Sequence, residues 1–294
     1  MTTQPLKQPR RESRPSAHAR LFGNGDLNPG TRCAVIVAHP DDEIVGAGCL
    51  ISKLGDVSIV HVTDGARDLG EAQAAGFDDV GLYAEARRQE CLAALAVANV
   101  PEDHVIEFSV PDTSACDCLS DLTKRIAYYL QESGTDIVVT HPYEGGHPDH
   151  DATAFATHAA LELVKRNGFK PPTLFEMALH PGNDEISKLP EFLPGAEGET
   201  TTLVLDERAT KLKRRMFECL QSQRRSIQAS PVGFERFRLP PEYDFNVPPH
   251  KGKLHYENFD WAPRSTDWQS LARQALNDLF PSRKSASQSM QDFL

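Results

Sequence analysis

Apolar residues along this chain fall into short continuous runs, separated by stretches of helical spacing. Cys33-Ala34-Val35-Ile36-Val37-Ala38 is rich in β-branched residues and stops at His39-Pro40, the pattern of a strand buried on both faces. Comparable runs at Val57 to Val62, His104 to Val110 and Asp136 to Thr140 stop at Thr63-Asp64-Gly65, Pro111-Asp112 and His141-Pro142. Residues 44–54, 82–98 and 119–132 between them read as helices. This alternation predicts an α/β fold, with a mostly parallel Rossmann-like sheet and helices on both faces. Ligands of such sheets bind beyond the carboxyl ends of the strands. His39, Asp64, Asp112 and His141, each just past a run, therefore point at one cleft.

The flanks are less regular. Residues 1–28 are polar and rich in Pro, Arg, Ser and Gln, which predicts a disordered arm. Residues 170–180 hold a fifth strand candidate ending at His180, a weak substrate candidate. A loop is expected over 183–200 and one basic helix over 206–226. Residues 229–260, with many prolines and aromatics, are expected to wrap the core as an irregular C-terminal extension. Trp268, Leu271, Ala272, Ala275, Leu276, Leu279 and Phe280 recur at helical spacing after Ser265 to Asp267, which predicts a final amphipathic helix. The expected division is an arm over 1–28, a main domain over 29–262, and a helix with a tail over 263–294. No internal repeat is visible.

Charge and cysteines narrow the class. A net charge of −11 and a pI near 5.5 weigh against nucleic acid or an anionic membrane surface as partner. No run of about 18 apolar residues predicts a membrane span. The N-terminus has arginines without an apolar stretch behind them, so it does not read as a secretory signal. The six cysteines form no paired metal or disulfide pattern and read as thiols of a cytoplasmic protein.

Two clusters carry the chemistry. His39-Pro40-Asp41-Asp42-Glu43 places one imidazole and three carboxylates at a strand end. Adjacent side chains in extended chain point opposite ways, so Asp41 and Asp42 are expected to differ, one binding a cation and the other facing a bound water. Glu43, beside a helix start, is expected to bind backbone N–H groups or anchor the loop. In His147-Pro148-Asp149-His150-Asp151, Pro148 suits the first helical position, Asp149 and Asp151 suit the dipole, and the two histidines, three apart, share a face. Two imidazoles and a carboxylate make a divalent site with a position left for water, and suit zinc. Tyr143-Glu144-Gly145-Gly146 reads as a mobile approach to it.

As a pair, the two clusters resemble the PIG-L/LmbE family of zinc N-deacetylases. Thr63-Asp64-Gly65, Arg87 to Glu90 and Pro111-Asp112 are similar to further motifs of that family, and Ser222-Gln223 and Glu235 to Arg238 to weaker ones. The resemblance covers residues 32–260. It implies a zinc-dependent hydrolase that removes an N-acyl group, usually acetyl, from an amino-sugar substrate or its conjugate. It implies His39, Asp42 and His150 as zinc ligands, Asp41 as the base for a zinc-bound water, and His147 as the acid, oriented by Asp149. Asp64, Arg67 and Asp112 are the expected substrate-binding residues. Thr113 stands where many relatives have glycine.

Rival readings are an amidase for a larger amide such as a thiol-sugar conjugate, a non-catalytic zinc module, and a nucleotide-binding module built on Gly46-Ala47-Gly48. The last lacks the third glycine of a dinucleotide fingerprint. Asp41 and His147 are superfluous to a protein that only holds metal. A homo-oligomer stays open.

Overall fold

The computed structural model describes residues 16–23, 30–179, 191–193 and 199–281. In chain order the elements are α1 (Ala17–Phe22), β1 (Cys33–Val37), α2 (Asp42–Ile51), β2 (Val57–Thr63), α3 (Leu69–Ala74), α4 (Val80–Val97), β3 (Val105–Val110), α5 (Leu119–Ser133), β4 (Ile137–Thr140), α6 (Pro148–Arg166), β5 (Thr173–Met177), β6 (Thr200–Val204), α7 (Glu207–Cys219), α8 (Arg224–Ile227), β7 (Phe234–Arg238) and α9 (Ser265–Leu279).

The seven strands among the described residues lie in the order β3-β2-β1-β4-β5-β7-β6. Pairings from β3 through β5 are parallel, and β7 is antiparallel to both its neighbours. The order reverses between β1 and β4, so the loops after these strands diverge and leave a crevice at their carboxyl ends. Alternation along the strands divides the core. Ala34, Ile36, Val60 and Val138 face α5, α6 and α9, while Val35, Val37, Ile59 and Val139 face α2, α4 and α7. In α2, a Cβ on Gly46 would stand 2.5 Å from the Met177 sulfur, and one on Gly48 would stand 3.3 Å from that of Met216. These glycines therefore serve close packing.

Several expectations change. The arm is ordered in part: Ser16 caps α1, Leu21 is buried, and the Phe22 ring lies 5.4 Å from Phe175 and 5.2 Å from Phe237. Two apolar residues on one short turn suffice to dock it on β5 and β7. Residues 1–15, His180, the loop over 183–190 and the tail from 282 lie outside the described residues. The basic helix breaks after Cys219, because the Ser222 N–H and hydroxyl turn to the Glu90 carboxylate and the Gln223 amide to the Tyr83 hydroxyl. Within 199–260, β6 and β7 extend the sheet. The three threonines and half-exposed alternation of β6 hid it, and the buried charges Glu235 and Arg238 hid β7. α9 shares the core of α5 and α6, where Trp268 is buried and its Nε1–H donates to the Pro148 carbonyl at 3.3 Å. The tyrosine-glycine turn is also tied down. Asp151 accepts from the Glu144 and Gly145 N–H groups, and Leu254 packs where a Gly145 side chain would be.

Two buried ionic groups fasten the C-terminal part of the chain. Lys213 donates to the Val45 carbonyl at 2.7 Å and to Glu235 at 2.8 Å, while Glu235 accepts from the Cys49 and Leu50 N–H groups inside α2. Both side chains are fully buried. Beside β5, Arg238 bridges Glu176 at 2.8 Å and Glu144 at 3.2 Å. Burial pushes the Glu144 carboxyl up to about 7 despite Arg238.

Lys213→Met strands the Glu235 charge in the core and is expected to cost about 3–5 kcal/mol in denaturant unfolding. Glu144 behaves oppositely. Its folded pKa lies above its unfolded one, so its stabilising effect is present in acid and is lost as pH rises through about 7. Glu144→Gln is therefore expected to raise the melting temperature relative to the parent at pH 8 and to leave it little changed at pH 4. An equal shift at both values would contradict that titration.

Candidate active site

β1 ends at Val37, and the chain turns through His39 into α2, which opens with Asp42. β4 ends at Thr140, and the following turn reaches His147, the N-cap of α6, with Pro148 in its first turn as the sequence predicts. Packing β1 beside β4 brings the two motifs together. His39 Nδ1 lies 3.2 Å from Asp42 Oδ2 and 3.2 Å from His150 Nε2, and the latter two atoms are 3.4 Å apart. Tetrahedral zinc with bonds of about 2.0–2.1 Å requires donors about 3.3 Å apart. The triangle and its N, N, O chemistry fit one such ion.

Neighbouring groups fix these donors. His39 Nε2 faces Asp112 Oδ1 at 3.0 Å and Asp149 Oδ2 at 3.5 Å, so a carboxylate orients the ring from the side away from the triangle. The His39 N–H donates to Asp42 Oδ2 at 2.8 Å. Burial pushes the Asp42 carboxyl upward, but His150, His39 and His141 outweigh it and hold the group well below the ordinary carboxylate range. Burial and the facing His141 bring His150 down to about 4, which leaves its imidazole neutral and able to donate a lone pair.

Asp41 stands apart from the triangle. Its backbone is at φ 148°, ψ −25°, in a region that costs a non-glycine residue about 1–3 kcal/mol. That turn sends adjacent carboxylates different ways, and Asp41 Oδ2 meets the Arg87 guanidinium at 3.1 Å. Arg87, buried on α4, also donates to the Gly65 and Pro40 carbonyls. Gly65 has φ +69°, and a Cβ there would lie 2.8 Å from the guanidinium carbon. The glycine of Thr63-Asp64-Gly65 thus lets Arg87 reach Asp41. Burial pushes the Asp41 carboxyl up to about 7, against the pull of Arg87.

His147 completes the group, its ring 4.7 Å from that of His39 and 5.2 Å from that of His150. Burial, reinforced by these two imidazoles, holds it well below the ordinary histidine value. Its Nδ1 accepts from the Asp149 backbone N–H at 3.2 Å. The expected orienting contact therefore comes from the backbone of Asp149. The Asp149 carboxylate is instead taken by the Thr113 and Ala115 N–H groups at 2.6 and 3.1 Å and by His39. Burial pushes that carboxyl up to about 6.

The residues expected to touch substrate lie on the loops after β2 and β3. Asp64 accepts from the Ala66 and Asp112 N–H groups, which joins the loops after β2 and β3. Arg67 pairs with Asp68 at 2.9 Å and lies over the Trp261 ring at 5.0 Å. Asp112 is turned to His39. Two further neighbours had been assigned no role, although His141 was expected at the cleft. His141 stacks on His150 at 4.0 Å, and its Nε2 lies 3.3 Å from Asp42 Oδ2 while accepting from the Ala38 N–H. Its signal was present, since His141-Pro142 follows β4 as His39-Pro40 follows β1. Trp261 lies 5.3 Å from the His147 ring and had no local signal, because it comes from the irregular C-terminal segment.

Residues 34–161, which hold His39, Asp42 and His150, match the family PIG-L: GlcNAc-PI de-N-acetylase. A 1D-myo-inositol 2-acetamido-2-deoxy-alpha-D-glucopyranoside deacetylase of Salinispora arenicola is 25% identical over 175 residues. That match spans 51% of this chain and a little over half, 57%, of the relative. Among solved structures, a deacetylase–teicoplanin complex has a TM-score of 0.55 at 20% identity, covering 73% of this chain and 100% of the other. A zinc-inhibited teicoplanin deacetylase has a TM-score of 0.53 at 19% identity, covering 71% and 97%. The 4-carboxy-2-hydroxymuconate hydratase of Pseudomonas putida KT2440 has a TM-score of 0.52 at 18% identity, covering 73% and 98%. These likenesses establish the fold, which serves more than one reaction. Both histidine motifs lie at one crevice and within residues 34–161, the part of the chain that is similar to the PIG-L family.

Proposed function

We propose that this protein is a zinc-dependent N-deacetylase acting on an acetylated amino sugar or its conjugate. The observation that carries the reading is the separation of labour in the first motif. Asp42 lies in a donor triangle of zinc dimensions, while Asp41 stands beside it on Arg87, outside the triangle. A protein that only held metal would have no use for the second carboxylate in a strained backbone. The deacetylase relatives support the reaction class, and the Salinispora relative's name includes an acetamido sugar.

His39, Asp42 and His150 would hold the ion, which when bound supplies Lewis-acid polarisation and a water of lowered pKa. Asp41 accepts the proton of the attacking water as its oxygen forms a bond to the acyl carbon. His147 steadies the developing oxyanion, is protonated beside that anion, and gives its Nε2 proton to the departing amine nitrogen as the C–N bond breaks, while the proton held by Asp41 replaces it. The products are a carboxylate and a free amine. The Asp149 N–H on His147 Nδ1 leaves Nε2 as the atom that carries the transferred proton. Asp112 keeps the His39 ring in place, and Arg67 and Asp64 meet the sugar at the rim. The reading places the enzyme in the cytoplasm with a small-molecule substrate. No described helix is long and apolar enough to cross a membrane.

His150→Ala and Asp42→Ala are expected to lose most bound zinc by elemental analysis, with partial rescue of Asp42→Ala by excess metal. Full metal content in both would remove the site. Asp41→Asn is expected to keep zinc and KM yet lose at least about a hundredfold in kcat, followed by release of free amine from an N-acetylglucosaminyl glycoside. Zinc loss in Asp41→Asn with retention in Asp42→Ala would reverse the two roles.

A further inference from the structure

Against the Asp41 backbone lies a buried group that the mechanism does not use. Glu43 of α2, His61 of β2 and Cys91 of α4 are all buried, with 0, 2 and 1% of their surface exposed. Glu43 Oε1 accepts from the Cys91 thiol at 2.9 Å and faces His61 Nε2 at 3.2 Å. The other oxygen, Oε2, accepts from the Asp41 backbone N–H at 3.3 Å. Three elements that share no local sequence therefore converge on one carboxylate, and that carboxylate holds the backbone of the proposed base.

Asp41 needs such a hold. Its backbone lies at φ 148°, a conformation that persists in a non-glycine residue only when its surroundings over-determine it. Arg87 restrains the side chain from α4. The Glu43 carboxylate restrains the main chain and is itself fixed by donors on β2 and α4. The β2–β3 register shifts between His61 and Thr63, next to the strand end that carries the Thr63-Asp64-Gly65 turn. The irregularity thus falls where β2 supplies both the His61 ring and the turn that admits Arg87.

We propose that His61 and Cys91 are positioning residues that act through Glu43 to hold Asp41 in its strained, reactive geometry. This rests on the reading of Asp41 as the base. The three side chains could also form a donor set for a second ion, but the 2.9 Å thiol–carboxylate contact is that of a hydrogen bond, and each group already has a partner within the cluster. The cluster's task is then mechanical. Sub-ångström displacement of a reacting group can cost orders of magnitude in rate with binding intact.

The test is a double-mutant cycle on the zinc-loaded protein, with kcat, KM, zinc content and melting temperature measured for each variant. His61→Gln is expected to lower kcat by about tenfold to a hundredfold while KM and zinc content stay unchanged. In the Asp41→Asn background the same substitution is expected to add little, because the base whose placement it disturbs has gone. Cys91→Ser, which keeps a donor, is expected to retain most of the activity that Cys91→Val loses. This pair carries the test should His61→Gln fail to fold. Equal losses from His61→Gln in both backgrounds, a raised KM with unchanged kcat, or indistinguishable Cys91→Ser and Cys91→Val would overturn the proposal while leaving the base assignment intact. Loss of a second equivalent of zinc from Cys91→Val would overturn it in favour of a metal site. Full activity of Asp41→Asn alone would instead sink the base assignment, and the positioning role with it.

Discussion

A single oxygen atom organises the candidate site. Asp42 Oδ2 accepts the His39 N–H and lies within 3.4 Å of nitrogens on His39, His141 and His150. Those three rings come from the end of β1, the end of β4 and the first turn of α6. A buried carboxylate is costly unless its charge is answered, and here the imidazoles answer it closely enough to hold Asp42 ionised against burial. The same constraint is imposed on the rings, which must sit with lone pairs or N–H groups aimed at one point. Every other feature of the crevice keeps that convergence in register.

The supporting structure is arranged as successive anchors. Asp112 and Asp149 grip His39 from behind, and Thr113 and Ala115 in turn grip Asp149. Arg87 fixes the Asp41 side chain through a gap that only glycine at position 65 leaves open. The C-terminal part of the chain contributes through the core. Lys213 and Glu235 bind the backbone of α2, Leu254 closes on Gly145, and Trp268 bonds the first turn of α6. Elements outside the family match thereby brace the two helices that deliver Asp42 and His150. Trp261, beside His147 and under Arg67, also comes from this part.

The sequence by itself determined the parallel half of the sheet, because the almost wholly buried β1, β2 and β4 read as apolar runs and each strand from β1 to β4 was punctuated by a polar turn. It also brought the candidate donors into view, since His39-Pro40-Asp41-Asp42 and His147-Pro148-Asp149-His150 lie at strand and helix ends where side chains are free to converge. Tertiary structure alone decided the rest. β7 was hidden because Glu235 and Arg238 are buried charges, favourable only beside Lys213 and Glu176 from elsewhere in the chain. α1 was hidden because its two apolar side chains gain a partner only on Phe175 and Phe237. The orientation of Asp149 toward His39, and the grip of Glu43, His61 and Cys91 on Asp41, depend on side chains brought within about 3 Å from separate elements. Local pattern records which way a residue faces its own strand or helix. It carries no trace of a partner that arrives only when the sheet closes.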